Sequence, residues 1–247
     1  MRELERRAAK RARERKYAGI PSYRTMVRRL NALLASASDE QWDAGMGWYP
    51  TFAGVADILA ERHSVTFDQA AGVLAILSPR TSVATSVIVA DRVLGAWHES
   101  GDASARMVPG VIGENVDRAV DFLAGRRYAV DMDQGRTLTE ARKVRSFYRN
   151  VTGDPDPVTV DTWALAAVGS DRDVVRGGAY VAVAEAYRTV ARRHGITPRE
   201  CQAVAWCAVR TDVDAAEELW TLAELLRTSP VAAAPVVPVD RSEGVPV

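Results

Sequence analysis

No stretch of this chain alternates apolar and polar residues over more than four positions, whereas apolar spacing of three and four residues recurs along most of its length. Half-buried strands need a period of two and amphipathic helices one near 3.6, so the pattern predicts an all-α fold. Residues 22–37 show it clearly, with Tyr23, Met26, Val27, Leu30, Leu33 and Leu34 on one expected packing face. Residues 66–79 open with Thr66 and Gln69 in capping-box register and are apolar on most faces, which predicts a central helix. Further helices are expected over 51–63, 82–101, 113–126, 138–153, 161–169, 177–195, 196–211 and 212–228. "SDEQ" at 38–41 also has capping-box form, but the next residues, "QWDAGMGWYP", read as an aromatic loop.

Hydrophobic residues make up 47% of 247, enough for one large domain or two small lobes with a core. No apolar run reaches the roughly 18–20 residues of a bilayer span. The start is charged throughout and lacks the apolar stretch of a signal peptide, so no membrane partner and a cytoplasmic location are expected. Cys201 and Cys207 agree with a reducing compartment; six positions apart on a predicted helix, they face different ways, and neither a disulfide nor a metal site is expected. The formal net charge is zero, yet residues 2–17 hold eight Arg/Lys against three Glu. Residues 1–20 therefore read as a basic arm suited to a polyanion or to a host or virion protein, or as a solvated helix. The main helical domain is expected over 21–228, and 229–247, rich in Pro, Val and Ala, as a disordered tail.

Three stretches carry candidate chemistry. Around the turn at 78–85, Ser78, Thr81, Ser82 and Thr85 supply hydroxyls and Arg80 a cation. A helix start there could hold phosphate or a base edge, or Ser82 could simply cap the next helix. Lys143 stands 18 positions before Asp161, and Gly153, Pro155 and Pro157 between them must break the helix and let the chain double back. An amine beside a carboxylate supplies a nucleophile and a stabiliser of positive charge; the alternative is a solvated lysine and an N-cap aspartate. Gln202, Trp206 and Arg210 recur at four-residue spacing, a polar–aromatic–basic stripe that could line a pocket or seal a helix contact.

"VLAILSPRTSVATSV" and "VTVDTWA" resemble two segments of the helix-hairpin-helix DNA glycosylase superfamily, endonuclease III-like group, in the same order and about 80 residues apart. The resemblance covers roughly 55–215. It implies a two-lobed helical fold with a cleft between the lobes and DNA as partner (a duplex with a flipped base, or a single strand); no cofactor is expected, since Cys201 and Cys207 are the only cysteines. Carried onto this chain, it implies Asp161 as the catalytic acid that stabilises an oxocarbenium-like sugar and Lys143 as an amine able to attack the sugar carbon. It implies Arg80 at the place of a side chain that reaches into the DNA; on their own chemistry Thr81, Ser82, Arg142 and Arg145 are expected to bind DNA with it, and Ser78, Trp163, Gln202 and Trp206 to line the base pocket. Chemistry on a duplex base requires flipping it out.

The family's glycine-rich hairpin stands here as "TLTEARKVR", its histidine after the aspartate as Trp163, and its four-cysteine cluster loop is absent. In its degenerate hairpin the chain resembles phage-associated proteins of glycosylase-like fold proposed to modify thymine bases. "SPRT", "KVRSFYRN" and "VTVDTWA" also look like a group of small actinobacteriophage proteins. The expected function is a DNA base-processing enzyme, by N-glycosidic cleavage or base modification; the alternatives are an inactive DNA-binding module of the same fold and a host- or virion-protein binder.

Overall fold

The structure, a computed structural model, describes residues 18–106, 108, 113–126, 142–173, 177–210 and 214–229. Most of the basic arm, the first residues of "TLTEARKVR" and the tail from 230 lie outside the described residues. The described residues form α-helices joined by turns, with no strand among them. In chain order, α1 is Tyr23–Ser36, α2 Asp39–His63, α3 Phe67–Leu77, α4 Val83–Ser100, α5 Asp102–Arg106 and α6 Gly113–Leu123. After them come α7 Arg142–Val151, α8 Thr162–Val168, α9 Gly177–His194, α10 Pro198–Arg210 and α11 Asp214–Thr228. None is long and apolar enough to cross a membrane.

The chain divides into two compact units, one of residues 1–49 and 138–213, the other of 50–137 and 214–247. In the first, α1, α8, α9 and α10 pack on one another. Met26, Leu30 and Leu34 of α1, Leu165 of α8, Val183, Tyr187 and Val190 of α9 and Val204 of α10 share one core. Cys201 is in that core as a free thiol, and burial pushes its pKa up to about 12. Tyr23, expected on the packing face of α1, is instead 44% exposed and hydrogen-bonds Thr189 at 2.6 Å. In the second unit α3 packs on α4 and α6, and every residue from Ala70 to Leu77 is buried, as its all-round apolar sequence predicts. Arg62 and His63 share Asp91 of α4, with Arg62 Nε at 2.9 Å and His63 Nε2 at 2.7 Å. Arg62 Nη1 also donates to the carbonyls of Leu226 and Ser229, so one guanidinium satisfies the end of α11.

Local capping follows the sequence closely. Thr66 and Gln69 make a reciprocal capping box, Ser82 accepts from the Thr85 N–H, and Thr197 and Glu200 pair across the start of α10. The loop expected over 41–50 is overturned, because α2 runs unbroken through it and through Pro50. Ser38 and Gln41 form the box that starts this helix. Trp48, Tyr49 and Phe52 are buried at helical spacing. Gly45 is there for contact: a Cβ would lie 2.5 Å from Val204 Cα in α10. The two units part at Pro50, which lacks the N–H that would bond four residues back.

Two glycines of α2 should therefore respond in opposite directions. Gly45→Ala forces α2 off α10 and is expected to cost about 1–3 kcal/mol. Gly47→Ala, whose Cβ meets nothing within 4 Å, is expected to add about 0.5–1 kcal/mol through helix propensity. Urea unfolding of both variants checks this; a Gly47→Ala loss as large as that of Gly45→Ala contradicts the close approach.

Candidate functional site

The site begins where α7 stops. The Gly153 and Asp154 N–H groups turn back to the carbonyls of Asn150 and Arg149, Gly153 takes a φ of +102°, and Pro155 and Pro157 forbid further helix. Val158, Thr159 and Val160 then run buried without regular structure, so their polar groups must be satisfied individually. The Tyr180 hydroxyl of α9 does most of this, donating to the Val158 carbonyl at 2.7 Å and accepting the Val160 N–H at 3.1 Å. Asn150 Nδ2 donates to Thr159 Oγ1 at 3.1 Å. Tyr187 donates to the Ala164 carbonyl at 2.9 Å, fixing the first turn of α8. Side chains from α7 and α9 thus aim the segment at the helix mouth.

Asp161 sits at that mouth, half-buried, and its Oδ1 accepts the Ala164 N–H at 2.7 Å. The N-cap reading is therefore met. The same carboxylate also feels the charge of Lys143 and accepts a hydrogen bond from the Trp206 side chain. Desolvation is the largest influence and raises its pKa; Lys143, the helix N–H groups and Trp206 oppose it without cancelling it. The stripe on α10 converges here as well. Gln202 is buried and accepts from the Tyr49 hydroxyl at 2.6 Å, and burial drives the Tyr49 pKa well above the ordinary phenol value, with Asp161 among the charges that raise it further. Arg210 lies over Trp206 at 4.5 Å and over Trp163 at 5.2 Å, and Trp206 packs against Trp48 at 4.5 Å between ring centroids.

The structure thus brings Lys143, Asp161, Trp163, Gln202 and Trp206 into one unit around one carboxylate. Lys143 is half-buried. Arg142 is tied inward, with Nη1 on the Gly177 carbonyl at 3.1 Å and its guanidinium 5.9 Å over the Tyr180 ring. Arg145 is half-buried on the same helix. Ser78, Arg80, Thr81 and Ser82 belong to the other unit. There Ser78 and Thr81 donate to the Ala75 and Leu77 carbonyls, and Ser82 caps α4, so these hydroxyls are engaged locally. Arg80 is exposed at a φ of +59°, a left-handed conformation that costs a non-glycine residue roughly 1 kcal/mol.

Residues absent from the sequence reading complete the site: Tyr49, Asn150, Thr159, Tyr180 and Tyr187. Tyr49 fell in the supposed loop. Tyr180 and Tyr187, seven apart on the apolar face of α9, carried the one visible signal, since a buried phenol needs a partner for its hydroxyl. Chemically, the arrangement holds a carboxyl whose proton affinity is raised, with an ammonium and an indole N–H ready to favour its ionised form. Such a group can stabilise developing positive charge or exchange a proton.

A raised pKa means that the folded chain holds the Asp161 proton to higher pH than the unfolded chain, so stability falls as pH rises from about 3.9 through the folded value. Asn at this position keeps a capping oxygen and never ionises. Melting curves of Asp161→Asn and the parent across pH 4–8 should show their difference shifting in favour of Asn as pH rises, then levelling. A shift in favour of Asp means that the carboxylate is net stabilised in the fold.

No curated protein and no solved structure matches the chain. A family model described as "Family of unknown function (DUF7178)" matches residues 12–213. That span contains α1 to α10 and every side chain around Asp161, and the chain belongs to this family.

Proposed function

We propose that the chain is an enzyme that processes a DNA base, by cleaving the N-glycosidic bond or by modifying a flipped base. The observation that carries this reading is the coupling of Lys143 to a half-buried Asp161 whose pKa is raised. In this reading the ionised Asp161 stabilises the positive charge that builds on the sugar as the base departs, and Lys143 supplies the amine that attacks the sugar carbon. Trp206 and Gln202 hold the back of the site through Asp161 and Tyr49. Charge supports the partner: among the described residues, the unit holding Asp161 carries 13 Arg/Lys against 10 Asp/Glu, and the other 7 against 13. The reading includes the two-lobed glycosylase-like fold with its cleft and a phage origin, both resting on the sequence resemblance, and action in the cytoplasm, in keeping with two free cysteines.

One observation favours a second reading, a DNA-binding module without chemistry. Asp161 Oδ1 already serves the Ala164 N–H, and an N-cap needs no catalytic role.

Duplexes containing uracil, hydroxymethyluracil or a phage-modified base separate the two. Asp161→Asn is expected to lower product formation by about 10²-fold or more with the fold intact. Borohydride should trap the parent, and not Lys143→Ala, on abasic DNA. Product formation that survives Asp161→Asn unchanged removes the catalytic assignment.

A further inference from the structure

The ring ladder beside Asp161 has an open end. Trp48 and Trp206 are buried at 7% exposure each, and Arg210 lies over the Trp206 ring. Trp163 on the far side of that guanidinium is 37% exposed. Large apolar side chains are normally placed where they can be covered, and an indole with one face on a cation presents its other surface as a flat, polarised plate. Arg142, which the sequence places for phosphate contact, spends its guanidinium on Gly177 and Tyr180 instead. Helix α7 therefore shows less of a duplex-backbone grip than "RKVR" suggests, while the described residues of the unit still hold more basic than acidic side chains, 13 against 10.

From the exposed plate and this charge excess, we infer that Trp163, backed by Arg210, is a stacking platform for an unpaired nucleobase, and that the preferred ligand is single-stranded DNA. The inference rests on the reading of this unit as a nucleic-acid binder, and it names the strand form and the residue that holds it. Stacking is tolerant of base identity because every base has a π-face, so the platform selects exposed bases rather than a sequence. Electrostatic attraction brings the strand in, and Trp163 discriminates a strand with accessible bases from one whose bases are paired. Trp163 shares Arg210 with Trp206, the side chain that bonds Asp161, so the platform is tied to the carboxyl through that guanidinium.

The test is fluorescence anisotropy with the full chain at low salt and three probes: a labelled oligothymidylate, an abasic strand of equal length, and a hairpin duplex. The abasic strand has the same phosphates without bases, so it isolates stacking from charge. The expected order is oligothymidylate tightest, with the abasic strand and the duplex each several-fold weaker. Trp163→Ala should weaken oligothymidylate binding about 5- to 150-fold and leave abasic binding unchanged. Trp163→Phe should restore most of the difference, and melting curves of both variants confirm folding. Equal affinity for the thymidylate and abasic strands, tighter binding of the duplex, or a Trp163→Ala variant that binds thymidylate like the parent overturns the inference. Base release that requires Asp161 alongside any of those results removes the platform and keeps the enzyme. Trp163-dependent binding without base release removes the enzyme and keeps the platform.

Discussion

A carboxylate that has given up much of its water, and has been only partly compensated for it, sets the terms for the first unit. Asp161 closes the N-terminus of α8, and the cation nearest to it in effect is Lys143 from α7. Were the cap its sole task, an exposed Asp, Ser or Asn would serve as well with no desolvation. The surroundings instead push the proton onto the carboxyl while Lys143 and Trp206 pull it off. Tyr49, Tyr180 and Tyr187 feel the same negative charge, each with its own pKa raised chiefly by burial. The cluster is one electrostatic unit in which three phenols stay neutral and the carboxyl is the group that responds to pH.

The two units handle charge in different ways. In the second, buried Asp91 is held by Arg62 and His63, and the guanidinium goes on to the last carbonyls of α11. That is charge used as a joint: each ion has a fixed counterpart, and removing one leaves the other buried alone. On its surface Arg106 is shared by Asp102, Asp117 and Asp121, half-exposed pairs of small individual worth. The described residues of the first unit carry a small surplus of positive charge, 13 basic against 10 acidic, whose reach is limited by salt.

The helical class, most helix limits and the four capping motifs were legible because they follow local rules of spacing and side-chain reach. Lys143 and Asp161 were legible as a pair through the breakers between them. The continuity of α2 was not: Gly45 and Pro50 look like loop residues until α10 is known to approach within contact of Gly45. Tyr180 was hidden for a related reason, since its partners are main-chain atoms 20 and 22 residues away that no side-chain pattern reveals. The excess of basic residues, by contrast, was visible directly, since residues 2–17 alone hold eight Arg/Lys against three Glu.

Tyr180 holds Val158 and Val160 by their backbone atoms, and that has an evolutionary corollary. A clasp on main-chain oxygen and nitrogen does not read side-chain identity, so the constraint on positions 158 and 160 comes from the core that buries both valines. The stretch from Thr152 to Pro157 upstream is held in its own right, by the Arg199 N–H on the Pro155 carbonyl and by the Arg149–Asp154 ion pair. The phenol sets the backbone path, which makes a tyrosine on a distant helix the guardian of where Asp161 points.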